Sequence, residues 1–202
     1  MPLDNKAIFC DMDGVLADFM INLLKVHYRD DLLKLYQERL FPTTWNINGE
    51  LGSDEDLWLP VDVAGESFWE SIPPFDYMTR IIDILENSGI KWYIATTARH
   101  TAASCSGKMK WIKRHFGSDF KDVIMIKDKY LLANRNNLLI DDSPDNIRKF
   151  DIHGGDTCLF PQPWNEAEPL HKKRITLIQS AIGKLIRKES YEESSVYIRS
   201  EV

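Results

Sequence analysis

The chain has 202 residues, enough for one domain with an insertion or for two small ones, and enough to bury roughly 70% of the surface that its unfolded form exposes. At 44% hydrophobic and 28% charged it has the make-up of a globular protein in water, and its net charge of −6 argues against a broad nucleic-acid-binding face. No apolar run is long enough to span a membrane, no signal-peptide pattern opens the sequence, and Cys10, Cys105 and Cys158 are scattered without metal-ligand spacing, so the expected setting is a reducing cytoplasm.

The first predicted element is a buried strand over Ala7 to Cys10, a short apolar run. Two carboxylates follow, Asp11 and Asp13, and then Gly14, where the chain can take dihedrals that a side chain would forbid. In open α/β sheets ligands sit just past the carboxyl ends of the strands. Two acids this close repel each other unless a cation lies between them, and magnesium is the natural cation for hard oxygen ligands. A carboxylate there can also attack phosphorus while its neighbour handles the leaving group's proton. A calcium loop is excluded by spacing, because Val15 and Leu16 stand where it needs a ligand and a glycine. An exposed Asp-Gly turn remains the bland alternative.

From Ala17 to Leu40 apolar residues recur at helical spacing, and Arg29-Asp30-Asp31 divides the stretch into two helices. Phe41 to Thr44 is a break. The following stretch, to about Pro74, is expected to be irregular, with Trp45, Trp58, Phe68 and Trp69 forming a satellite core; the functional alternative is a lid whose rings stack on a flat ligand. Asp76 to Asn87 is an amphipathic helix stopped by Gly89. A strand over Lys91 to Ala95 runs into Thr96-Thr97. A helix spans Ser106 to Phe116, a third strand Val123 to Ile126, and a fourth strand Asn137 to Ile140 that ends in Asp141-Asp142. Ser143-Pro144 opens another helix, with Ser as N-cap and Pro at the first helical position. Thr157 to Phe160 is a fifth strand, and 166–188 an amphipathic helix.

This alternation predicts an α/β fold, a doubly wound parallel sheet. The first connection is far too long for an ordinary crossover and reads as a small, mainly helical cap inserted after the first strand. The expected division is a core of residues 1–16 and 76–188, a cap of 17–75, and a polar C-terminal tail of 189–202. Polar residues then collect at strand ends: Asp11 and Asp13, Thr96 and Thr97, Asp141 and Asp142, with Lys127 and Lys129 after the third strand and Lys108 on the helix after the Thr pair. Each has a plain structural account as a cap, a helix-end charge or a solvated lysine. Their conjunction, in order and at strand tips, points to one site.

Asp11-Met-Asp13-Gly14-Val15, together with the Thr pair, the lysine and Asp141-Asp142, resembles the four motifs of the haloacid dehalogenase superfamily of phosphotransferases. The stretch Phe9 to Phe19, together with Gly107-Lys108 to Gly117 and Leu138 to Asp142, is similar to the 5′(3′)-deoxyribonucleotidase branch. Gly154-Gly155 and Phe160-Pro-Gln-Pro-Trp-Asn165 resemble its bacterial and phage members.

The resemblance implies a Mg²⁺-dependent phosphomonoesterase of the 5′-nucleotidase type, acting on deoxyribonucleoside monophosphates. Asp11 would be the nucleophile that forms an aspartyl-phosphate, and Asp13 the acid and then the base. Magnesium would bind Asp11, the backbone carbonyl of Asp13 and Asp141, with Asp142 behind them or as an alternate ligand. Thr96, Thr97, Lys108 and Lys129 would hold the phosphate. Phe19 maps onto a base-binding ring, with Trp45, Phe68 and Trp69 as further candidates. Thr97-Ala98 departs from the Ser-Pro of the mammalian enzymes. The partner is a small phosphate ester, with no stable nucleic acid and no membrane, and a homodimer stays open as an assembly. The competing readings are the same chemistry on another small phosphate such as a sugar phosphate, a non-catalytic binding module, and a phosphatase on nucleic-acid ends.

Overall fold

A computed structural model of the chain describes residues 5–40 and 47–199. Its centre is a single parallel sheet of five strands, β1 (Ala7–Cys10), β2 (Lys91–Thr96), β3 (Val123–Met125), β4 (Asn137–Asp141) and β5 (Asp156–Leu159), in the spatial order β3-β2-β1-β4-β5. β1 lies in the middle, with Phe9 opposite both Tyr93 and Leu139. Its side chains alternate between two apolar layers. Ile8 and Cys10 join the larger one with Ile94, Leu138 and Ile140, while Phe9 joins a smaller one with Ala95, Leu139 and Phe150. Apolar runs buried on both faces are what a covered parallel sheet requires.

Nine α-helices lie among the described residues: α1 (Phe19–Val26), α2 (Asp30–Gln37), α3 (Ile47–Leu51), α4 (Asp54–Ala64), α5 (Glu66–Glu70), α6 (Met78–Asn87), α7 (Ala102–Phe116), α8 (Pro144–Ile152) and α9 (Arg174–Arg199). α8 starts as its sequence predicts, on the Ser143 hydroxyl and Pro144. The irregular stretch expected up to Pro74 is instead largely helical from Ile47 onward. Ser53 and Asp56 form a reciprocal capping box that starts α4 despite Pro60 inside it. Phe68 and Trp69 belong to the main apolar cluster, not to a satellite. The break expected at Phe41 to Thr44 lies outside the described residues.

α7 begins earlier than its apolar pattern suggests, because the Thr101 side chain accepts the Ser104 amide hydrogen bond. α9 runs through Arg199, well past the expected onset of a polar tail at residue 189; helix propagation adds one hydrogen bond per residue and needs no apolar partner. No described helix is long and apolar enough to cross a membrane.

Two contacts position the site. The chain leaves the sheet and returns side by side, with Ala17 bridged to Pro74 and the Asp18 amide donating to the Pro73 carbonyl at 2.8 Å. α5 then lies tightly on α7. A Cβ at Gly107 would stand 2.6 Å from both the Glu66 carbonyl oxygen and the Trp69 Cβ, so only glycine admits this approach. Trp111 Nε1 donates to the Ile72 carbonyl at 2.6 Å, and Lys110 and Arg114 pair with Glu66 and Glu70.

Candidate active site

The tip of β1 delivers Asp11. Its amide donates to the Ile140 carbonyl at 2.9 Å, which fixes the tip against β4. Asp11 Oδ1 accepts from the Met12 amide at 2.7 Å and lies 2.8 Å from Lys129 Nζ. Asp13, two residues further, pairs through Oδ2 with Lys108, and its Oδ1 is buried without a hydrogen bond from any described residue. Gly14 sits at φ +80°, and a Cβ there would fall 2.3 Å from Asp142 Oδ2. The glycine that follows the two acids is therefore required by both its dihedral and the approach of Asp142.

β4 ends in the other pair. Asp141, fully buried, receives Lys129 Nζ at 2.6 Å, the Ser143 amide at 2.8 Å and the Asn146 side chain at 3.1 Å. Asp142 Oδ2 accepts from Trp164 Nε1 at 2.6 Å. Oxygens of Asp11, Asp141 and Asp142 all lie within 4.8 Å of one another. Lys129, in a short 3₁₀ turn after β3, stands between Asp11 and Asp141. Lys108, on α7 and fully buried, donates to Thr96 Oγ1 at 2.9 Å and lies 5.0 Å from the Trp69 ring centre.

The electrostatics follow from burial. Desolvation pushes the Asp11 carboxyl up, and Lys129 pulls it back. Burial and then Asp11 raise Asp141 to about 6, and burial followed by Asp141 holds Asp142 well above the usual carboxylate range. Burial alone would lower Lys129, but Asp11 and Asp141 outweigh it and hold the ammonium well above an ordinary lysine. Were all four carboxylates ionised, the two ammonium groups would leave a formal charge of minus two in this spot. Oxygen donors this close, short of positive charge, suit a hard divalent cation.

Two cavities open on the strand tips. One, of about 320 Å³, is bounded by Asp11, Asp142 and Lys129 on the polar side and by Leu23, Leu57 and Trp164 on the apolar side. The other, of about 610 Å³, is bounded by Trp69, Arg99, His100 and Lys127. Asp13, Phe19, Trp58 and Thr97 line both.

The structure thus brings Asp11, Asp13, Asp141, Asp142, Thr96, Thr97, Lys108 and Lys129 together. Of the hydroxyls, Thr97 lines the cavities, whereas Thr96 is fully buried under Lys108 and lines neither. Among the rings expected at the base, Phe19 and Trp69 line a cavity. Phe68 is buried behind them, edge-on to Phe19 at 5.6 Å and to Trp69 at 5.1 Å. Trp45 lies outside the described residues. Asn146 and Trp164 also line the smaller cavity without a site expectation from the sequence, and Trp58 lines both cavities, as the lid alternative allows. The capping spacing of Ser53 and Asp56 is the signal that sets Trp58 on a helix beside Phe19, whereas the stretch around Trp164 carries only a resemblance.

No curated protein matches the chain. A hydrolase of the haloacid dehalogenase family from Deinococcus radiodurans R1, with bound phosphate and sodium, is similar in structure at 14% identity and a TM-score of 0.50, over 85% of this chain and 89% of that one. A hydrolase from Streptococcus pneumoniae TIGR4 aligns at 17% identity and a TM-score of 0.49, over 81% of this chain and 97% of that one. CbbY from Rhodobacter sphaeroides in complex with phosphate aligns at 18% identity and 0.49, over 80% and 88%. The family described as 5′ nucleotidase, deoxy (Pyrimidine), cytosolic type C protein matches residues 5–181. Since that match spans most of the chain, the protein belongs to this 5′-deoxynucleotidase family and is a phosphoric monoester hydrolase on a haloacid dehalogenase fold.

Proposed function

We propose that the protein is a Mg²⁺-dependent deoxyribonucleotidase that cleaves deoxyribonucleoside monophosphates to nucleoside and phosphate. The observation that carries this reading is the position of Asp11, anchored at one oxygen and lying on the wall of a cavity that is polar at one end and aromatic at the other. Asp11 Oδ1 is occupied by the Met12 amide and Lys129, which leaves Oδ2 as the nucleophile. Oδ2 attacks phosphorus, the ester P–O bond breaks, and Asp13, entering the cycle protonated at its unpartnered Oδ1, gives that proton to the departing nucleoside oxygen. Asp13 then takes a proton from water, whose oxygen attacks phosphorus and releases Asp11. Lys108 and Thr97 hold the phosphoryl oxygens, Thr96 orients Lys108, and Lys129 keeps Asp11 ionised.

Asp11, Asp141 and the Asp13 carbonyl would hold Mg²⁺, with Asp142 as alternate ligand. When bound, the ion neutralises the site and polarises the phosphoryl group. The fit rests on the three clustered carboxylates and their missing positive charge. Phe19 and Trp58, whose ring centres lie 6.2 Å apart, take the nucleobase. Residues 17–75 act as the cap over a core of 1–16 and 76–188, and the three unpaired cysteines suit a cytoplasmic enzyme.

The test is phosphate release from deoxyribonucleotides, ribonucleotides and sugar phosphates, with Mg²⁺ and with EDTA. The expected result is metal-dependent turnover with dUMP or dTMP preferred. Asp11→Asn should lower kcat at least about 10³-fold without loss of fold by circular dichroism. Turnover indifferent to the base would point to another small phosphate ester, and full activity of Asp11→Asn would exclude the covalent route.

A further inference from the structure

The loop that follows β5, residues 160–165, touches the site at three points. Gln162, buried between Pro161 and Pro163, donates from Nε2 to the Gly14 carbonyl. Asn165 Nδ2 donates to the Asp142 carbonyl at 2.8 Å, and Trp164 Nε1 donates to the Asp142 side chain at 2.6 Å. The loop thus grips both partners of the close approach between Gly14 and Asp142. It is itself stiff. Its two prolines fix φ, and Asn165 also donates to the Phe160 carbonyl at 2.8 Å and accepts from the Ala167 amide at 3.1 Å. Arg174 Nε donates to the Pro161 carbonyl at 2.8 Å and ties the loop to the start of α9.

The partner of Asp142 is unlike those of the other three acids. Asp11 and Asp141 share Lys129, and Asp13 pairs with Lys108. Among the described residues Asp142 makes no ion pair, and the Trp164 indole is the one hydrogen-bond partner of its carboxylate. An ammonium cancels the charge of the carboxylate that it orients, and so competes with a metal ion for it. An indole N–H is a neutral group that only donates. It fixes the carboxylate and leaves the negative charge in place to attract a cation. The bond occupies Oδ2, while Oδ1 receives no donor from the described residues. Trp164 also lines the smaller cavity, beside Asp11, Leu23 and Leu57.

We infer that Trp164 is a positioning residue with two separable roles: its N–H aims Asp142 at the divalent cation, and its ring packs against the nucleotide in the smaller cavity. This rests on the Mg²⁺ and deoxyribonucleotidase readings above. A carboxylate that loses the hydrogen bond orienting it binds metal about 10- to 100-fold more weakly. Because one indole serves both ligands, held by a loop anchored on Gly14 and Asp142, the metal and the nucleotide depend on the same ring orientation.

The experiment titrates Mg²⁺ alone into the metal-free protein by calorimetry, then measures KM for a deoxynucleoside monophosphate at saturating Mg²⁺. It uses the wild type, Trp164→Phe and Trp164→Leu. Phenylalanine keeps an aromatic ring and deletes the donor, whereas leucine deletes both. Both variants should bind Mg²⁺ about 10- to 100-fold more weakly than the wild type. KM should be at least about fivefold higher in Trp164→Leu than in Trp164→Phe. Wild-type Mg²⁺ affinity in Trp164→Phe would overturn the inference and leave the Mg²⁺ reading standing. Equal KM in the two variants would overturn the role given to the ring. No Mg²⁺ binding by the wild type would overturn the inference and the Mg²⁺ reading together. A readout without substitution comes from wild type labelled with ¹⁵N at its indoles. The Trp164 N–H resonance should shift as Mg²⁺ saturates, while that of Trp111, bound to the Ile72 carbonyl, stays in place. A Trp164 resonance indifferent to Mg²⁺ would also overturn the inference. Thermal unfolding in EDTA, expected within about 5 °C of wild type because Trp164 is only half-buried, separates lost orientation from lost fold.

Discussion

Asp18 is a buried carboxylate that does no chemistry. It caps α1 by accepting the Ile21 amide, and the Tyr36 hydroxyl donates to it at 2.9 Å. Burial pushes its carboxyl up to about 6, against the opposing pull of the Tyr36 hydrogen bond. The sign of its effect on stability follows. The fold favours the protonated form, so the group's contribution is fully present below about pH 4, the unfolded value, and is lost as pH rises toward 6. Asp18→Asn keeps a capping oxygen and an acceptor for Tyr36 but cannot ionise. Its stability relative to wild type should therefore climb between pH 4 and 6.5, by at most about 3 kcal/mol, and urea titrations at several pH values would read this. A flat difference would place Asp18 in a solvated setting. Asp11, Asp141 and Asp142 shift in the same direction, because burial outweighs the pull of Lys129 on them. Those acids were legible in the sequence because two aspartates at a strand tip have few structural uses. Trp58 and Trp164 were not, because a tryptophan's type says nothing about whether its ring faces a core or a cavity.

Among the elements, the junction of α5 with α7 bears most directly on the site, because it sets Trp69 against Lys108. Gly107 lies inside α7, where intrinsic propensity would favour alanine by about 1 kcal/mol. Against this, the new Cβ would meet a backbone carbonyl and a Cβ at 2.6 Å, neither of which can swing aside. Overpacking of this kind costs about 1–3 kcal/mol, so Gly107→Ala should be net destabilising by up to about 2 kcal/mol. It should also raise KM, since α5 carries Trp69 away as it yields. A variant as stable as wild type, with unchanged KM, would show that α5 has room to move. Gly107 was visible in the sequence only as part of a resembling stretch. Its contact partner lies some forty residues away, and local pattern does not report such pairings. The strands and α8 could be read because each carries its own signal, an apolar run or a Ser-Pro start. The helices between Ile47 and Glu70 could not, because clustered Asn, Gly, Asp and Pro obscured a capping box that local hydrogen bonds make decisive.

Over the whole molecule, one apolar cluster crosses the proposed line between cap and core. Leu23, Leu57, Val61, Phe68 and Trp69 belong to the same cluster as Ile8, Leu138, Ile140 and Ile178. An inserted lobe with its own core would melt on its own, since separate cores give separate transitions. A shared core makes each half lose its apolar partner when the other unfolds, which couples the two into one cooperative unit. The expectation is a single urea transition with the same midpoint by far-UV circular dichroism and by tryptophan fluorescence. The comparison is informative because Trp58 and Trp69 lie between the sheet's first strand and α6, whereas Trp92 and Trp111 lie on the sheet and the helix packed against it. If fluorescence changed at a lower urea concentration than the circular dichroism of the parallel sheet and its helices, residues 17–75 would be a lobe that opens alone. The tight seating of α5 on α7, with Trp111 bound to the Ile72 carbonyl, argues for the coupled outcome, because freeing the cap would strand a buried indole N–H and expose the Gly107 groove at the same time.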